Sequence, residues 1–168
     1  MTPSTLITPH VTAHIDGSCT PNPGRGAYGV ILRSGPHEKQ LSGPIPEDPC
    51  TNQRAELHAA LKALLALKMP CKIHICSDSK YLIETMRGNY RRNANRDLWE
   101  QIDEAAAPHA VAWTWIRRGS NTEAHELAES AIRDADGDPG DHDCIEDVGA
   151  FLRAAYDARA VRQEWEEG

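Results

Sequence analysis

Three acids stand in this chain where their neighbours are apolar, and a carboxylate so close to a core is costly unless it is paired or bound to a cation. Asp16 follows Val11, Ala13 and Ile15, which alternate with Thr12 and His14 in the period of a strand with one apolar face. A salt bridge to an Arg or Lys at the core edge and a bound cation would each satisfy it. Glu56 lies in a helical stretch and shares a face with Ala60, Ala63 and Leu67, so it points toward the core side. Asp78 closes the short apolar run from Lys72 to Ser77, at the strand end where ligands gather in α/β proteins. Capping the next helix is the ordinary alternative for that residue. His125 and Glu129, four residues apart, share one face of a later helix.

Periodicity and turn chemistry supply the elements that carry these groups. Residues 11–16 form a strand, the turn cluster Pro21 to Gly26 follows, and Ala27 to Arg33 completes a hairpin. A third strand, Glu38 to Ser42, ends an antiparallel meander before the Pro-rich loop from Gly43 to Pro49. A helix is predicted over Thr51 to Leu67, capped by Thr51 or Asn52, then a strand Lys72 to Ser77 and a helix Lys80 to Met86. Arg87 to Arg96 packs Arg87, Arg91, Arg92, Arg96 and Tyr90 into one loop, a composition suited to phosphate contact and stacking, or to a solvated loop. A helix from Asp97 to Ala107 precedes a strand, His109 to Arg117, that is apolar on both sides and therefore expected in the sheet interior. Ser120 and Glu123 have capping-box spacing at the start of a helix from Asn121 to Asp134.

The 168 residues suffice for one domain with a real core. Residues 1–134 hold 15 acids and 15 Lys or Arg, so the whole net charge of −7 belongs to residues 135–168. That tail reads as an acidic linker followed by an amphipathic helix, Glu146 to Glu166, with Val148, Phe151, Leu152, Ala155, Ala158, Val161 and Trp165 on one stripe. The stripe suits docking on its own domain, or a dimer of an otherwise monomeric chain; the acids suit competition with nucleic acid for the basic loop. Five scattered cysteines without a C-x-x-C pair suggest neither a disulfide framework nor a zinc site. Absence of a membrane-length apolar run or a signal-like start points to a soluble, cytoplasmic protein.

Four motifs in register now add a resemblance. Asp16-Gly17-Ser18 with Asn22-Pro23-Gly24 and Gly29, Thr51-Asn52-Gln53-Arg54-Ala55-Glu56, Ser77-Asp78-Ser79-Lys80-Tyr81, and Asn121-x-x-Ala124-x-x-Leu127-Ala128 resemble the signatures of type 1 ribonuclease H across residues 10–134. Asp97-Leu98-Trp99 and Trp113-Thr114-Trp115 agree with it. The resemblance implies an α/β, RNase H-like fold, a five-stranded mixed sheet flanked by helices over residues 1–134, with residues 135–168 as a C-terminal helical extension. It implies endonucleolytic cleavage of the RNA strand of an RNA/DNA hybrid by two divalent metal ions, Mg²⁺ or Mn²⁺, about 3.5–4 Å apart. Asp16 would bridge the ions, with Glu56 and Asp78 each completing one coordination sphere. Cys19, Asn22, Asn52 and Lys80 would lie along the RNA strand near its 2′-hydroxyls. Thr51 and Asn95 would hold a DNA-strand phosphate, supported by Arg54. Trp99 is assigned to the core, and His58 and His74 to structure.

The chain departs from the family's pattern in three places. His125 stands where the family has a fourth acid. The loop that usually bears a mobile histidine is Arg117-Arg118-Gly119-Ser120, and the Arg/Asn loop is shorter than the basic handle of some members. With His125 as catalytic residue and metal ligand, three carboxylates face two dications, and a preference for Mn²⁺ follows because Mn²⁺ accepts imidazole more readily than Mg²⁺. Only a neutral ring can ligate, so activity is expected to fall on acidification. Glu129 is the alternative replacement for the missing acid. Arg117 and Arg118 are the positional candidates for the lost loop histidine. The rival function is a hybrid-binding protein of the same fold without turnover.

Overall fold

The computed structural model describes residues 8–134. The acidic linker, the amphipathic helix and the dimerisation expected of it lie outside the described residues. Strands β1 (His10–Thr20), β2 (Arg25–Ser34) and β3 (His37–Pro44) form the antiparallel meander. Helix α1 (Asn52–Leu65) then crosses to β4 (Lys72–Ser77), which pairs parallel with β1. After α2 (Lys80–Met86) and α3 (Arg96–Ala106), β5 (Ala110–Trp115) pairs parallel with β4, and α4 (Thr122–Asp134) ends the described chain. The sheet order is β3-β2-β1-β4-β5, a five-stranded mixed sheet flanked by helices.

The alternation predicted for β1 holds: Val11, Ala13 and Ile15 are buried on the core face. Helix α1 is nearly buried all round, because Ala55, Ala59, Ala60 and Ala63 are small enough to let it lie between the sheet and α3. On the opposite face α4 covers β1, β2 and β3. Two glycines admit these helices. A Cβ on Gly17 would lie 2.1 Å from the Ala55 carbonyl carbon, and one on Gly29 would lie 2.3 Å from the Ala124 oxygen.

Two expectations need correction. Strand β5 is an edge strand, not an interior one. Val111 and Trp113 pack on the core, but the opposite side carries Ala110 and Ala112, which are exposed and small enough to tolerate water. The proposed capping box does not form either. Ser120 belongs to a 3₁₀ turn, α4 begins at Thr122, and the Glu123 carboxylate pairs with Arg33 at 2.8 Å.

Candidate active site

Register brings the first two acids together. His14 of β1 is opposite Cys76 of β4 in the parallel ladder, and two residues further along each chain are Asp16 and Asp78. The ladder has ended there, so both side chains reach the open end of the strands. Asp78 is not the cap of α2. Ser79 is, accepting from the Leu82 N–H at 3.2 Å, and its hydroxyl donates to Glu56 Oε2. One serine thus frees Asp78 for the cleft and aims the acid of α1 into it.

Oxygen atoms of Asp16, Glu56 and Asp78 all lie within 4.8 Å of one another. They line a cleft of about 320 Å³ together with Gly17, Ser18, Asn52, Trp115, Arg118 and His125. Asp16 is 6% exposed. Burial pushes its carboxyl up to about 6, helped by the charge of Asp78 and opposed by the hydrogen bond with His125. Burial likewise pushes Glu56 up to about 7, with Ser79 opposing, Asp16 and Asp78 adding repulsion, and Arg118 opposing. Among the described residues no lysine or arginine forms an ion pair with any of the three, which removes the salt-bridge alternative for Asp16. Three crowded carboxylate oxygens without a fixed counter-charge are a donor set for hard divalent cations.

A family model for RNase H matches residues 8–134. A ribonuclease H from Symbiobacterium thermophilum is 40% identical over 140 residues, covering 73% of this chain and 94% of its own. The chain belongs to the ribonuclease H family. Among solved structures, the N-terminal RNase H domain of a Mycobacterium tuberculosis protein superposes with a TM-score of 0.69 at 25% identity, covering 77% of this chain and 97% of that one. LC11-RNase H1, solved in complex with an RNA/DNA hybrid, shares the fold with a TM-score of 0.67 at 22% identity, covering 74% of this chain and 98% of its own. The family is divalent-metal dependent, in keeping with the acidic cluster.

Within this ribonuclease H, α4 sets His125 against Asp16, with Nδ1 2.7 Å from Oδ2. Its Nε2 lies 4.0 Å from Glu129 Oε1, and the same oxygen accepts from the Ser18 hydroxyl at 2.9 Å. His125 touches the acidic triple through Asp16, while Glu129 stands behind it. Ser18, Ser79 and Trp115 were not singled out in the sequence as site residues, because their partners come from remote segments. Asn121 also acts there: its buried Nδ2 donates to the Ile15 carbonyl at 2.8 Å, tying α4 to the peptide just before Asp16. Asn121→Ala leaves that carbonyl without a partner and is expected to cost about 1–3 kcal/mol, read from urea denaturation. Unchanged stability would show that the tie carries no load.

The residues expected along the substrate fall into two groups. Asn22 Oδ1 accepts from the Asn52 N–H at 3.1 Å, and Asn52 Oδ1 accepts from the Cys19 N–H at 2.9 Å, so these three form one rim. Cys19 meets this rim through its main chain. Its thiol is buried, facing Gly26 beside Cys50, because odd positions of β1 point to the core. In the second group Thr51 caps α1, and Arg54 donates to Asn95 Oδ1 at 3.1 Å and is held by Glu47 and Asp97. The Asn95 amide donates to the Tyr81 hydroxyl at 3.1 Å. Lys80 is exposed beside the cleft. In the basic loop Arg92 is tied to Asp103 and Arg87 to the Trp113 carbonyl, while Arg91 and Arg96 are exposed. Of the two candidate arginines, Arg118 lines the cleft. Trp99 is buried as expected, its Nε1 donating to the Ala94 carbonyl, and His58 pairs with Glu47.

Proposed function

We propose that this ribonuclease H hydrolyses the RNA strand of RNA/DNA hybrids, with Asp16, Glu56 and Asp78 holding two divalent ions. The observation that carries the reading is the meeting of three buried or half-buried carboxylates, with no lysine or arginine paired to them among the described residues, at one end of the sheet. Bound divalent ions supply an ionised water, a polarised phosphodiester and stabilisation of the departing 3′ oxygen. The chain's own residues do the rest. His125 holds Asp16 from one side, Ser79 holds Glu56 from the other, and Arg118 offers a positive charge to the phosphate. Asn22, Asn52 and Lys80 face the RNA strand, whose 2′-hydroxyls both donate and accept hydrogen bonds. Thr51 and Asn95, braced by Arg54, receive a phosphate of the DNA strand. That LC11-RNase H1, of the same fold, was solved with a hybrid supports this choice of substrate.

His125 supplies no negative charge where a further acid would. Three carboxylates against two dications leave the second ion more weakly held, and imidazole suits Mn²⁺ better than Mg²⁺. Initial rates are therefore expected to be higher with Mn²⁺ than with saturating Mg²⁺, and equal rates at saturation would remove the preference. The function itself is tested with labelled RNA/DNA, RNA/RNA and DNA/DNA duplexes, each in Mg²⁺ and in Mn²⁺, beside Asp16→Asn. Cleavage confined to the RNA of the hybrid supports the proposal. Hybrid binding without cleavage in either metal would replace it by the non-catalytic reading.

A further inference from the structure

Trp115 ends the edge strand β5, and it is 37% exposed while lining the acidic cleft. Its strand end is fixed by one more ladder bond, from the Ile116 N–H to the Ser77 carbonyl at 2.9 Å. Two contacts then engage the indole itself. Its Nε1 donates to the main-chain carbonyl of Asp78 at 3.1 Å, and the Lys80 ammonium lies 5.0 Å from the ring centroid. One side chain therefore touches both the turn that bears a cleft carboxylate and the cation two residues further on.

We infer that Trp115 is a positioning residue that couples the Asp78 turn to Lys80, so that the metal-holding and substrate-holding parts of the cleft are set by one indole. The inference rests on the reading of the cleft given above. The Asp78 peptide joins β4 to α2, and within the turn the Ser79 N–H is held by the Ser77 hydroxyl at 3.1 Å. The indole N–H adds an anchor from a different strand, against which the carboxylate keeps one direction. Lys80 has a long, rotatable stem, and freezing it during binding costs affinity. Resting the ammonium on the indole fixes it beforehand. The Asp78 anchor does not follow from the fold alone, since a phenylalanine could fill the same place without donating to Asp78.

Two measurements without turnover test this. Calorimetric titration of Mn²⁺ in the absence of nucleic acid compares wild type with Trp115→Phe, which keeps a ring and loses the donor; about five-fold weaker affinity is expected. Hybrid binding in EDTA, followed by fluorescence anisotropy, compares Lys80→Ala, Trp115→Leu and the double variant. Each single variant is expected to bind about two- to five-fold more weakly, and the double variant no more weakly than the poorer single one, the mark of coupled residues. Thermal melts confirm that the variants are folded. An unchanged Mn²⁺ isotherm in Trp115→Phe, or fully additive losses in the double variant, would overturn the inference. Failure of the wild type to cleave hybrid would count against the proposed function alone, because the Mn²⁺ titration needs neither cleavage nor nucleic acid.

Discussion

Asp16→Asn is expected to lower hybrid cleavage by about a thousand-fold or more, while making the metal-free protein more stable at pH 8 than the wild type. The first effect follows from removing a charged ligand at the reacting centre, where metal assistance is worth several kcal/mol. The second follows from the cost of the charge itself. Asp16 titrates at about 6 in the folded chain against 3.8 when free, chiefly because it is buried. Near pH 3 both states carry the proton and the site costs nothing. As the pH rises past 3.8 the unfolded chain releases its proton first, so folding loses stability until the folded carboxyl has also ionised, above about 6. The loss is on the order of 3 kcal/mol. Glu56 adds a loss of the same sign between 4.5 and about 7. Asparagine removes the Asp16 share, and its amide oxygen can still accept from His125. The advantage of the variant should thus be absent near pH 3, grow through pH 6 and stay constant above it, read as the difference between urea transitions in EDTA. Burial holds His14, His58 and His109 below the usual imidazole range, and they contribute equally to both chains, so they cancel. Added Mn²⁺ reverses the order, because it binds only the wild-type fold tightly. A variant less stable than wild type at pH 8 without metal would show that Asp16 is satisfied by His125 and not poised for a cation.

That the acids belong together was legible because each stood where structure alone does not ask for one: Asp16 in an alternating strand, Glu56 on the inward face of an alanine-rich helix, Asp78 at a strand end. The local signals around them were strong as well, and β4 and α2 run over the residues expected. What the sequence could not show is contact between distant segments. Nothing near Glu123 announces that Arg33, 90 residues earlier, would take the carboxylate from the expected cap. Likewise Ser18 meets Glu129 only because α4 packs on β1. The placement of β5 failed for a different reason. Alanine is apolar by composition but indifferent to exposure, so two alanines made an edge strand read as an interior one. Period alone told which residues of β1 face inward, and carried four residues beyond Ile15 it puts the Cys19 thiol on the core side as well.

The close seats of the two helices lead to the second large effect. Gly29 is the register partner of Asp16 on the face that α4 covers, and a Cβ there would lie 2.3 Å from the Ala124 oxygen and 2.8 Å from the Ala128 nitrogen. Both are backbone atoms in a continuous helix, so no side chain can turn aside. Gly29→Ala must push the helix outward, at an expected cost of about 2–3 kcal/mol in urea unfolding. His125 rides on that helix, so the shift also draws its ring away from Asp16. Gly17→Ala does the same on the other face, where the Cβ would lie 2.4 Å from the Glu56 nitrogen and displace that acid. At Gly119, in the loop between β5 and α4, a Cβ meets nothing within 4 Å, and Gly119→Ala should stay within about 0.5 kcal/mol of wild type. The decisive comparison is Mn²⁺ affinity measured well below each variant's melting temperature. If the glycines serve only to pack the helices, the affinities will match wild type wherever the chain is folded. If they also set the distance between helix and strand at which the acids meet, both glycine variants will bind Mn²⁺ more weakly while folded, and Gly17→Ala, which moves a carboxylate directly, will lose more than Gly29→Ala.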